Sequence, residues 1–105
     1  MTTKKQRAVF LDRDGTLNKL LPGEYVLHPC DLRLLTGVAK AVKKLNHLGY
    51  LVIIITNQGV IGRAVLTREK LDAIHAVMIR RLARGGARVD AIYYCPHHPR
   101  AVLPG

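Results

Sequence analysis

Along the chain, short unbroken apolar runs alternate with stretches in which apolar residues return every three or four positions. Residues 7–11 hold one such run, Ala8 to Leu11, too short for a helix, and its continuous apolar character predicts a strand over 7–11 buried on both faces, as in a parallel sheet. Residues 12–21 then form a loop at the carboxyl end of that strand, where open α/β sheets bind ligands. Pro22 and Gly23 mark a turn, and Pro29 after His28 excludes a helix there. Residues 37–49 read as a helix. Val38, Ala41, Val42, Leu45 and Leu48 form its apolar stripe, Lys40, Lys43, Lys44 and His47 its solvated face, and Gly49 its terminator. Residues 50–55 give a second buried strand, rich in β-branched side chains and ending in Thr56, Asn57, Gln58 and Gly59. Thr67 is placed to cap a second helix, whose core stripe is Leu71, Ile74, Val77, Met78 and Leu82 and which stops at Gly85 and Gly86. Within it Met78 reads as core filler, and His75, with no evident partner, as structural. Residues 89–94 supply a third strand. The order βαβαβ, with crossovers long enough for parallel pairing, predicts an α/β, Rossmann-like fold, half of a doubly wound sheet.

Composition narrows this in a few places. A chain of 105 residues with an ordinary apolar share forms one domain, 1–105, with a modest core, and is not disordered. It contains no apolar run long enough to span a membrane and no signal-peptide pattern, so a cytoplasmic location is expected. The formal net charge of +10 suits nucleic acid, an anionic membrane surface or phosphorylated substrates. Nucleic acid is not expected, because the basic residues are spread along the chain and no binding motif accompanies them. Two cysteines, Cys30 and Cys95, make no disulfide framework. Cys30 reads as a small, partly buried thiol.

The chemistry concentrates after the first strand, at Asp12 and Asp14. If the extended conformation persists, alternation points both carboxylates the same way, toward one metal ion or one substrate. Such a pair needs a cation or a proton nearby to offset its repulsion. A calcium-binding loop is excluded, since its fifth, sixth and twelfth positions would hold Thr16, Leu17 and Gly23. A dinucleotide fingerprint is excluded by the absence of its glycine pattern after the first strand.

The segment Phe10-Leu11-Asp12-Arg13-Asp14-Gly15-Thr16 resembles the signature of the haloacid dehalogenase-like (HAD) superfamily, and Ile53-Ile54-Ile55-Thr56 resembles its second motif. Together with Thr56-Asn57-Gln58 and Tyr93-Tyr94-Cys95-Pro96-His97-His98-Pro99, the pattern is similar to the D-glycero-D-manno-heptose-1,7-bisphosphate 7-phosphatase family. The related histidinol-phosphate phosphatases share much of it. This resemblance implies a three-layer fold and a magnesium-dependent phosphatase in which Asp12 is the nucleophile and Asp14 the general acid and base. It also implies that Asp12 and Asp14 ligate Mg2+ and that Thr56 holds a phosphate oxygen. Backbone N–H groups near Arg13 and Asn57 would assist. Asn57, Gln58 and Arg63 follow as substrate contacts, and Cys95 with His97 as half of a structural Zn2+ site. Without the family, the Arg13 side chain reads as an ordinary exposed base.

The superfamily further calls for a lysine and an acidic motif beyond the Cys-x-His stretch. Glu24, Asp31, Glu69, Asp72 and Asp90 form no equivalent acidic pair. The expectation is therefore an N-terminal, truncated and catalytically incomplete portion of a sugar-bisphosphate phosphatase. The alternative class is a non-catalytic module that binds anionic partners. The first strand would present an unpaired edge, open to self-association or to a complementary polypeptide.

Overall fold

The computed structural model describes residues 6–20, 25–57 and 66–95. Its elements are β1 (Ala8–Asp12), a 3-10 turn (Pro29–Asp31), α1 (Val38–His47), β2 (Leu51–Asn57), α2 (Arg68–Arg84) and β3 (Ala91–Cys95). The strands are parallel in the order β1-β2-β3, with Ala8 opposite Leu51, Asp12 opposite Ile55 and Ile53 opposite Ala91. This is the expected βαβαβ arrangement of a Rossmann-like α/β fold. Among the described residues no helix is long and apolar enough to cross a membrane.

Local chemistry sets the element ends. Thr67 accepts the Lys70 N–H at 3.2 Å and so caps α2. Gly49, at φ +88°, adopts the left-handed turn that ends α1, which a side chain would strain. Two polar clasps then pin the start of β3. The Asn46 amide both donates to and accepts from the Arg88 backbone, at 2.9 and 2.8 Å. Asp90 Oδ2 accepts the Val52 N–H at 2.8 Å, standing in for a ladder partner. Regular strand geometry accordingly begins at Ala91, two residues later than the apolar pattern predicts.

With right-handed crossovers, two successive steps in one direction place both helices on the same face of the sheet. The core agrees: Val52 and Ile54 of β2, Val42 of α1, and Leu71, Ile74, Met78 and Leu82 of α2 are buried together. The other face is bare. Phe10 and Tyr93 are each 61% exposed and Ile55 47% exposed, and the register places all three on that face. Burial of the first strand on both faces is thus not observed, because no described element covers the second face. The second helical layer of a three-layer fold is not represented among the described residues.

Other expectations shift for equally local reasons. In α1, Ala41 is exposed and Leu48 64% exposed, while Ala39 takes an inward position. Ala39 meets the end of α2 at Gly85, where an added Cβ would lie 2.6 Å from the Ala39 Cβ. Leu48 follows the last helical residue and points out with the turning chain. Cys30 is exposed rather than partly buried, because its short 3-10 turn contains no buried residue.

The Ala39–Gly85 approach gives a direct test of this packing. Gly85→Ala should lower stability by about 1–3 kcal/mol, as overpacking does. Adding Ala39→Gly should restore part of that loss, and denaturant midpoints of the two single variants and the double variant measure the coupling. Additive losses would contradict the contact.

Candidate active site

The loop after β1 is built around one carbonyl. The Arg13 carbonyl accepts the N–H groups of Thr16, Leu17 and Asn18 at 3.2, 2.7 and 3.2 Å. The Gly15 N–H donates to the Asn18 carbonyl at 2.8 Å, closing the turn. Gly15 sits at φ +82° with nothing within 4 Å of a would-be Cβ, so its requirement is conformational rather than steric. Leu17 anchors the loop in the core, and its carbonyl accepts the Leu35 N–H at 2.9 Å.

This turn ends the extended conformation at Asp12, so strand alternation does not carry on to Asp14. The two carboxylates are held differently. Asp12 lies exposed at the carboxyl end of β1, where its Oδ1 accepts the Arg13 N–H at 2.9 Å. Asp14 is 23% exposed, and its Oδ1 accepts from Arg13 Nε and Nη2 at 3.0 and 2.8 Å and from Asn18 Nδ2 at 3.0 Å. The cation that two neighbouring carboxylates call for is thus supplied by the residue between them.

Arg13 is not the exposed base that its sequence position suggests. It is 0% exposed, on the helix-covered side of the sheet. Burying a guanidinium is tolerable only where its N–H groups and its charge are satisfied. Asp14 satisfies the charge, and His75 of α2 meets the remaining side, with Nε2 3.1 Å from Arg13 Nη1. An arginine carries no acceptor, so Nη1 must donate and His75 Nε2 must accept. The imidazole is therefore neutral, with its proton on Nδ1. Burial first, then the Arg13 charge, push its pKa down from 6.5 to about 4, against the opposing pull of Asp72 and Asp14. His75 thus has a partner after all. Its place on the stripe of Leu71, Ile74, Met78 and Leu82 is the sequence signal that it is buried.

The structure brings Arg13, Asp14, Asn18 and His75 together, with Asp12 joined through the Arg13 amide. Thr56 is buried at the end of β2, one step beyond the Asp12–Ile55 pair and on the helix-covered face. The Asn57 side chain, Gln58, Arg63, the Cys95 side chain and His97 lie outside the described residues. No group of three His, Cys, Asp or Glu side chains suited to a metal occurs among the described residues. Asp12 and Asp14 nevertheless offer hard oxygen donors, and Mg2+ commonly takes one or two carboxylates and completes its shell with water and substrate phosphate. The donor chemistry of the loop fits that ion.

Comparison with known proteins finds similarity to proteins named as phosphatases, over part of their length. No family model matches the chain. It is 39% identical, over 94% of its length, to the D-glycero-beta-D-manno-heptose-1,7-bisphosphate 7-phosphatase of Rhodopseudomonas palustris, covering 54% of that protein. To the protein of the same name from Photorhabdus laumondii it is 42% identical, over 90% of this chain and 49% of that one. It also superposes, with TM-score 0.85 and 35% identity, on the crystal structure of a D,D-heptose 1,7-bisphosphate phosphatase from B. bronchiseptica complexed with magnesium and phosphate. That match covers 93% of this chain and 54% of that one. The chain spans about half the length of the curated relatives it matches.

Two stability tests follow from the buried cluster. Because the folded His75 pKa lies below its unfolded value, the unfolded chain binds more protons between these values. Stability should be greatest above pH 6.5, fall as the pH drops toward about 4, and level off below it, a loss of up to roughly 3 kcal/mol. Denaturation curves across this range should flatten in His75→Gln, and an unchanged slope would contradict the assignment. Asp14→Asn strips the buried guanidinium of its counter-charge and should cost about 3–5 kcal/mol, whereas Asp12→Asn, at an exposed position, should change stability little. Thermal melts of the two variants separate these outcomes.

Proposed function

Because the chain belongs over most of its length to the HAD superfamily, and within it to the heptose-1,7-bisphosphate phosphatase family, we propose that it carries the nucleophile-bearing half of a magnesium-dependent phosphomonoesterase acting on a sugar bisphosphate. One observation carries this reading. An exposed carboxylate, Asp12, ends a parallel strand two residues before a second carboxylate, Asp14, that buried donors hold in place. The first has the access that a nucleophile needs, and the second the fixed geometry that proton transfer needs.

In the proposed reaction an Asp12 carboxylate oxygen attacks phosphorus and forms an aspartyl-phosphate as the bond to the sugar oxygen breaks. Asp14 gives its proton to that departing oxygen. It then takes a proton from the water that attacks phosphorus and releases inorganic phosphate and free Asp12. Thr56 donates to a phosphate oxygen, with the Arg13 and Asn57 backbone amides beside it. Asn57, Gln58 and Arg63 contact the substrate. The Asp12 carboxylate and the Asp14 carbonyl would hold Mg2+, which when bound offsets negative charge on the transferring phosphoryl group.

Within these 105 residues no position matches the lysine or the second acidic motif that the family resemblance calls for, and the reading assigns those two roles to no residue described above. The face of Phe10, Ile55 and Tyr93 and the edge of β1, uncovered and unpaired among the described residues, are where a complementary polypeptide, or a second copy, would pair. Cys95 and His97 supply half of a four-ligand zinc site, which by itself binds zinc weakly.

Phosphate release from heptose 1,7-bisphosphate tests the catalytic reading. The 105-residue chain should show almost none, and the chain joined to the C-terminal half of a family member should turn over with Mg2+. Asp12→Asn in the joined form should reduce turnover by at least about a thousandfold, the scale on which removing a nucleophile acts. A joined form that is inactive, or an Asp12→Asn variant that is not impaired, would refute the reading.

A further inference from the structure

We infer that Arg13, clamped from behind by His75 and seconded by Asn18, is a positioning residue that fixes the Asp14 carboxylate for proton transfer to the departing oxygen. The inference rests on the reaction proposed above and assigns to these three residues a task that none of the site's other groups performs.

The geometry excludes the obvious use of Arg13. Its side chain is wholly buried, and Nε, Nη1 and Nη2 face Asp14 and His75. The guanidinium is therefore not placed to grip a phosphate arriving from solvent. It is placed to hold Asp14. Two of its N–H groups and one from Asn18 converge on the same oxygen, Oδ1. Three donors on one oxygen fix the plane of the carboxylate, so Asp14 meets the departing sugar oxygen in one orientation as the bond from phosphorus breaks. Asp14 regains its proton from water in the second step.

The cluster also bears a cost that simple stability does not explain. Asn18 is fully buried, and its Oδ1 finds no partner among the described residues. Turning the amide over would aim that oxygen at the Asp14 carboxylate, so the orientation that serves Asp14 leaves Oδ1 bare. An unsatisfied buried acceptor is expensive. His75 completes the clamp by accepting from Nη1 and fixing the plane of the guanidinium fork. A leucine there would leave Nη1 unpaired and free the fork to tilt. A glutamine retains an acceptor oxygen.

Two measurements test this. In the 105-residue chain, the Arg13 Nη1–H resonance should exchange slowly in wild type and in His75→Gln, and quickly in His75→Leu. Fast exchange in the wild type overturns the clamp. In the form joined to a family C-terminal half, proton donation matters for an alkyl phosphate and little for p-nitrophenyl phosphate, whose leaving group needs no proton. His75→Leu should therefore slow kcat on the alkyl ester by about tenfold or more, and on the aryl ester by less than about threefold, within the range that general acids contribute. His75→Gln should recover most of the loss. Equal slowing of both esters, with Asp12→Asn inactive on both, sinks the positioning role alone. An active Asp12→Asn sinks the underlying reaction instead.

Discussion

A guanidinium charge buried without solvent is the constraint on which this site is built. Once Arg13 turns inward at the end of β1, something must meet its charge and each of its N–H groups. Asp14 does the first, and the loop must fold back at Gly15 to bring it there. Asp14 also takes the N–H groups of Nε and Nη2, and His75 takes that of Nη1, which ties the loop to α2 across 62 positions of sequence. The conformation of the loop after β1 is therefore not set by the loop alone. It is set by the register of β1 on β2 and by the phase of α2, since a quarter-turn of that helix would carry the imidazole away from Arg13.

The same logic divides the two carboxylates by environment. Asp12 belongs to the strand and projects at its exposed end, whereas Asp14 belongs to the buried cluster. Two acids close in sequence thereby acquire different freedoms, one open to solvent and one held still. Among the described residues the sheet supporting them is covered on one face only, and Phe10, Ile55 and Tyr93 stand exposed on the other.

How much of this was legible in the chain varies with the range of the interaction. Short-range signals read well: the β-branched run before Thr56, the Thr67 cap, the terminating Gly49, and the Asp12-x-Asp14 turn. Amphipathic phase was nearly legible. It placed Leu71, Ile74, Met78 and Leu82 inside, but took Ala41 for Ala39, because the close approach of α1 to Gly85 leaves no trace in α1 itself. Arg13 was the informative miss. An arginine between two aspartates reads as exposed, and its burial depends on the Asp14 ion pair together with a histidine from another element. His75 carried a usable signal, since it falls on the apolar stripe of its helix where a polar residue needs a partner. Asn18 carried none, because an asparagine after a glycine turn is ordinary in any loop.

The site depends on a neutral imidazole accepting from a buried guanidinium, and long-range 1H–15N spectra of His75 in the 105-residue chain read that state. One tautomer is expected near pH 7, protonated at Nδ1 with Nε2 as acceptor, that persists until the pH approaches about 4. A His75 ring that exchanges between tautomers and titrates near 6.5, as a solvated histidine does, would contradict it.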